Sequence, residues 1–214
     1  MLGPVPENVN MLHVGLASTT KQIHITNNLI ESGFEEYSGN TSGILVKIKE
    51  NDIGQPGEDF LIANNTLSGY FGQGSIWLKE LTNVRISNNQ ISHGGSRGLR
   101  LTLVNDAIIG GNLINNPNIG IQVENTCIGL IFENNIIKNS YDNGIELKTV
   151  SKEEIIQAYF YGNRVSDSQK KPLYEKGDGI YDTKYYMNEF IGNLEPSSPS
   201  INVINDRGGN NNEN

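Results

Sequence analysis

The chain has one cysteine and one tryptophan in 214 residues, and fewer basic than acidic side chains, 16 against 24. Cys127 alone excludes a disulfide framework. Flanked by Thr126 and Ile128, with no activating base at a telling spacing, it reads as a small apolar filler. The first ten residues, MLGPVPENVN, lack the basic stretch and apolar core of a secretion signal, and no segment reaches transmembrane length. A soluble chain is expected, and a removed signal or a longer parent protein stays open. The net charge of −8 argues against nucleic acid, which needs a basic footprint. It also disfavours a polyanionic ligand unless a metal or a local basic strip offsets the repulsion. No partition into a membrane is expected. Helical periodicity is missing too, except in SKEEIIQAY (151–159), which reads as a short helical insertion or a plain surface excursion.

What the chain does have is a repeat: ITNN, IANN, ISNN, IGGN, FENN, FYGN and FIGN. Their last residues are Asn28, Asn65, Asn89, Asn112, Asn135, Asn163 and Asn193. Three positions earlier stands Ile25, Ile62, Ile86, Ile109, Phe132, Phe160 or Phe190. Two positions later comes an aliphatic residue, from Ile30 to Val165, until Glu195 breaks the column. An apolar–bend–apolar unit recurring about every 23 residues is one supersecondary unit stacked on itself.

Upstream of each bend lies a second echo: SGILVKI, GSIWLKE, RGLRLTL, IGIQVEN, NGIELKT and DGIYDTK. Counted from Gly43, Ser75, Gly98, Gly120, Gly144 and Gly179, the first and third positions are apolar, save Asp182 at the last third position. Period two with one buried face predicts half-buried strands. Each unit then reads as a glycine-led strand, a turn, a second strand ending in the Asn bend, a short third strand and a loop. Residues 1–9 are a lead-in, 10–205 the repeat domain and 206–214 a disordered tail rich in Asn and Gly. Neither end shows a cap, so further segments of a longer chain or a homotrimeric assembly are expected to cover the open strand edges.

These repeats resemble right-handed parallel β-helices of the pectate-lyase-like superfamily, which includes polysaccharide lyases, glycoside hydrolases and phage tailspikes. The resemblance implies an all-β, single-stranded solenoid of about seven rungs, with the bend Asn side chains stacked as an internal amide ladder. It also implies that function sits on the outer face of the glycine-led strands and their entry loops.

On that face the second strand position holds Leu45, Trp77, Arg100, Gln122, Glu146 and Tyr181, and the fourth Lys47, Lys79, Thr102, Glu124, Lys148 and Thr183. Entry loops add Phe34, Glu35, Tyr37, Tyr70, Phe71, His93, Tyr141, Asp142, Tyr174 and Glu175. The connections 51–59, 151–158 and 166–178 are swollen, and the entry loop 31–42 is long. Aromatic rings beside carboxylates, amides and cations suit a saccharide, so a polysaccharide partner is expected, held by Trp77, Lys79, Gln122, Lys148, Tyr141 and Tyr181. Glu124 and Glu146 differ by one rung and two strand positions. Their backbones therefore lie roughly 8 Å apart, near the separation an inverting glycosidase uses. In that reading they are acid and base, with Asp142 a third carboxylate; the plain alternative is a charge ladder in which Glu124 pairs with Lys148 and Glu146 with Arg100. A lyase would instead use Arg100, Lys79 or Lys148 as base or clamp, with calcium held by Asp142 and Glu146, although no compact acidic motif supplies the six or more oxygens calcium takes. No other cofactor is implied. DGIYD (178–182) and SHGG (92–95) are similar to hydrolase motifs of the superfamily, but the partner motifs are absent and the roles are not carried over. Two functions are therefore expected to compete: an extracellular β-helix that binds and cleaves a polysaccharide, and a non-catalytic module of a tailspike or surface adhesin on a virion or cell.

Overall fold

The computed structural model describes residues 10–16, 21–32, 41–48, 57–93, 95–151, 154, 156–177, 179–180 and 183–192. These form a parallel β-solenoid with three strand faces. The first face stacks Asn10–Leu16, Ser42–Ile48, the first halves of Gly74–Ser87 and Arg97–Gly110, then Ile119–Glu124, Ile145–Lys148 and Leu173–Lys176. The second stacks Lys21–Thr26, Gly57–Ala63, the second halves of the two long strands, Cys127–Glu133, Ile156–Tyr161 and Lys184–Tyr186. The third is a seven-stranded sheet of short strands running from Leu29–Glu31 to Glu189–Phe190. Every pairing is parallel and joins one turn of the chain to the next, as the repeat requires.

The Asn corner explains the repeat residue by residue. The residue before each ladder Asn has a left-handed backbone: Asn27, Asn64, Asn88, Gly111, Asn134, Gly162 and Met187, with φ between 51° and 64°. Asn and Gly tolerate that region, which is why the echo reads NN or GN. The Asn itself binds rungs on both sides. Asn112 Nδ2 donates to Ile86 O in the rung before (3.0 Å) and to Asn135 Oδ1 in the rung after (3.0 Å). The same pattern links Asn28, Asn65, Asn89, Asn112, Asn135, Asn163 and Asn188. The apolar residues flanking each bend fill the interior, where the Phe132 and Phe160 rings stack at 4.6 Å and Tyr185 continues the stack at 5.0 Å.

The last rung corrects the sequence register. The seventh ladder Asn is Asn188, five residues before the expected Asn193, which lies outside the described residues. With Asn188 as anchor, Tyr185 takes the position three before and Phe190 the position two after; both are buried, so the column does not break. Likewise the first-face strand after Ile145–Lys148 is Leu173–Lys176, not the DGIYDTK segment, whose Ile180 bridges Ile156 on the second face. The 166–178 connection is thus partly a rung, and the expected helical insertion ends in the strand Ile156–Tyr161.

Glycine leads four of the first-face strands, at Gly43, Gly98, Gly120 and Gly144, where a side chain would meet the neighbouring rung. A Cβ on Gly120 would lie 2.3 Å from Gly144 O and 2.4 Å from Ile137 Cγ2. Among the described residues the odd acid in the inward column is Glu175, opposite Leu147; Asp182 lies outside the described residues. The Tyr185 hydroxyl donates to the buried Glu175 carboxylate. Cys127 is fully buried, and desolvation pushes its thiol up to about 12, which leaves it inert as a nucleophile.

Candidate functional site

Strand register places two outward columns on the first face. The second strand position holds Leu45, Trp77, Arg100, Gln122, Glu146 and Tyr174; the fourth holds Lys47, Lys79, Thr102, Glu124, Lys148 and Lys176. Tyr174 and Lys176 thereby stand where Tyr181 and Thr183 were expected, and Tyr181 lies outside the described residues. Phe71, expected in the entry loops, is instead buried in the core. His93 is exposed at a left-handed turn, its ring 6.4 Å from that of Tyr70.

The expected acids are brought onto one face, but each already has partners. Glu124 Oε1 accepts from Arg100 Nε (2.7 Å) and Thr102 Oγ1 (2.9 Å), and Arg100 Nη2 lies 2.6 Å away. Arg100 also donates to Gln73 and lies 4.4 Å above the Trp77 ring, whose Nε1 donates to Thr102 Oγ1 at 3.2 Å. The guanidinium therefore covers the Trp77 ring face that a sugar would stack on. Glu146 is 8 % exposed and accepts from Gln122 Nε2 and Asn143 Nδ2, both at 2.9 Å. Arg97 completes this chain by donating to Gln122 Oε1 at 2.6 Å. Burial lowers the Arg97 pKa, Arg100 adds to that, and Glu124 and Glu146 oppose it. The ion pair that forms is thus Arg100–Glu124. Of the expected alternative pairs, Glu124 and Lys148 are register neighbours, whereas Arg100 goes to Glu124 instead of Glu146.

Asp142 precedes the Ile145–Lys148 strand and holds Lys170 Nζ at 2.8 Å. That hydrogen bond, then the carboxylate's charge, raises the lysine pKa. Beside it Tyr141 is 51 % exposed, and Lys171 Nζ sits 4.9 Å over Tyr174. Among the described residues no three His, Cys, Asp or Glu side chains converge as metal ligands do.

The feature that the sequence columns understated is basic. Four of the six side chains in the fourth column are lysines, in a chain of net charge −8. Lys79 is 3.1 Å from its neighbour Glu80, but the ammonium groups of Lys148 and Lys176, on adjacent rungs, have no hydrogen-bond or ion-pair partner among the described residues. Like charges at a rung spacing of ~4.8 Å repel by roughly 1 kcal/mol in water, a cost that an anion between them removes.

Open troughs lie elsewhere, on the second face. Its outward column is His24, Leu61, Arg85, Ile108, Ile131 and Tyr159. Arg85 and Ile108 form a ridge between two troughs, one walled by Asp59, Asn83 and Asp106, the other floored by Ser87 and Gly110. Sequence reasoning missed this face. Its signal was the small residue between the apolar position and NN, namely Ala63, Ser87 and Gly110.

The sequence matches the family model described as right-handed beta helix region over residues 13–194. No curated protein sequence matches it significantly. Among solved structures it resembles a point mutant of the periplasmic alginate epimerase AlgG, with a TM-score of 0.60 and 14% identity over 82% of this chain and 42% of that one. A double mutant of the same protein gives a TM-score of 0.50 and 12% identity over 82% of this chain and 47% of that one. The chain thus spans less than half the length of the chains it matches, and at these identities the likeness is one of fold.

Proposed function

The chain belongs to the right-handed β-helix family, and from that premise we propose that it binds an acidic polysaccharide outside the cytoplasm, along the lysine column of its first face. The lysine column supports this reading: two pairs of cations on adjacent rungs, Lys47 with Lys79 and Lys148 with Lys176, stand on one sheet face and suit a polymer that carries repeated carboxylates. Lys79, Lys148 and Lys176 would take carboxylates, with Tyr141 and Tyr174 beside them for ring contact. The likeness in fold to a periplasmic epimerase of alginate, an acidic polysaccharide, supports this chemistry and compartment.

Binding is favoured over cleavage by the state of the carboxylates. A hydrolytic pair needs one protonated acid and one free base facing the scissile bond. Glu124 is neutralised by Arg100, and both Glu146 oxygens are filled by amide donors. These groups tie neighbouring rungs of the first face together. In affinity gels containing alginate, the Lys148→Glu/Lys176→Glu protein is expected to lose about tenfold or more in affinity, since charge reversal replaces attraction by repulsion. Equal retardation of wild type and variant would remove the lysine column from the site. Release of reducing ends or unsaturated ends by wild type, and not by Glu124→Gln or Glu146→Gln, would instead restore the cleavage reading.

A further inference from the structure

We propose that the second face carries a separate binding site for a neutral saccharide, distinct from the first-face lysine column. Arg85 stands at its centre. It is exposed on the ridge between the two troughs and has no hydrogen-bond or ion-pair partner among the described residues. Around it are planar polar groups at fixed heights: Asn83 donates to Asp59 one rung away, and Asp106 accepts from Thr82 Oγ1 at 3.5 Å. Asp59, Asn83 and Asp106 share a left-handed backbone, which stacks them in line along one wall. The opposite trough exists because Ser87 and Gly110 are small. A Cβ on Gly110 would lie 3.0 Å from Glu133 Cγ, so the Glu133 carboxyl lies over the space that glycine leaves. One rung further, Tyr159 and Tyr161 are 38 % and 48 % exposed, and Ile131 beside them is 39 % exposed.

This composition selects the ligand. Around the troughs the carboxylates of Asp59, Asp106 and Glu133 outnumber the Arg85 guanidinium, with Lys184 further off at the Tyr159 hydroxyl, which disfavours a polyanion, and the guanidinium at the centre disfavours a cation. Planar donors and acceptors bond vicinal hydroxyls, while Ile108, Ile131 and the Tyr161 ring meet the C–H faces of a pyranose. A neutral polysaccharide running along the solenoid axis satisfies both. In native affinity gels containing dextran, galactomannan or laminarin, at least one polymer should retard the protein. Arg85→Ala and Tyr161→Ala, both surface changes, should each weaken that retardation about fivefold while thermal melts match wild type. Lys148→Glu/Lys176→Glu should leave it unchanged, and alginate retardation should survive Arg85→Ala. The proposal is overturned if none of the three neutral polymers retards the protein. It is equally overturned if the variants run as wild type, or if the lysine variant abolishes retardation, which would assign neutral binding to the first face.

Discussion

Asn112→Ala is expected to destabilise the protein by roughly 3–6 kcal/mol and to lower the melting temperature by about 10–20 °C. The substitution removes four hydrogen bonds at once: from Asn112 Nδ2 to Ile86 O and Asn135 Oδ1, and to Asn112 Oδ1 from Asn89 N and Asn89 Nδ2. All of these groups are buried, so the partners left behind cannot turn to water, and the orphaned Asn89 N–H carries most of the cost. Asn28→Ala is the control. At that end the side chain is exposed and makes two donations, to Thr26 O and Asn65 Oδ1, so about 1 kcal/mol is expected. Thermal melts by circular dichroism compare the two; similar losses would show that the ladder does not act as a buried network.

Tyr185→Phe should cost about 2–3 kcal/mol, and Tyr185→Phe/Glu175→Leu should recover most of it. The Tyr185 hydroxyl bonds the Glu175 carboxylate inside the solenoid, so removing the hydroxyl strips a buried charge of a donor. Replacing both with apolar groups matches the column of Val46, Leu78, Leu101, Val123 and Leu147 that Glu175 interrupts. Burial first, then the Glu175 charge and its hydrogen bond, raise the Tyr185 pKa well above 10.0. A raised pKa means the fold holds the proton more tightly than the unfolded chain does. This contribution is therefore intact below pH 10.0 and falls as pH rises above it. Tyr185→Phe should lack that alkaline loss. A double variant as unstable as the sum of its parts would contradict the pairing.

The middle rungs were legible because each position there obeys the repeat. NN encodes a left-handed residue followed by a ladder amide, and glycine marks the close approach at the head of the first-face strand. The last rung hid both marks. Pro172 stands where Gly144 stands one rung earlier, and Met187 takes the left-handed position otherwise held by Asn or Gly. FIGN and DGIYD then offered better local matches in the wrong register. Columns also tell which residues are neighbours but not which rotamers they choose. Arg100 could reach Glu146 or Glu124 from its strand position, and Trp77, Gln73 and Thr102 together decide for Glu124. The second-face trough beside Arg85 was hidden for a different reason, since its signal is missing side-chain volume at Ser87 and Gly110.

On the proposed reading, the first face recognises carboxylates by its lysines. The direct measurement is calorimetric titration of the Arg85→Ala protein, in which second-face binding is weakened, with alginate and with the same polymer after reduction of its carboxylates to alcohols. Binding to alginate is expected to weaken with added salt and to disappear on reduction, and Lys148→Glu/Lys176→Glu should abolish it in the unreduced polymer. Equal affinity for reduced and unreduced polymer, indifferent to the lysine substitutions, would contradict that reading.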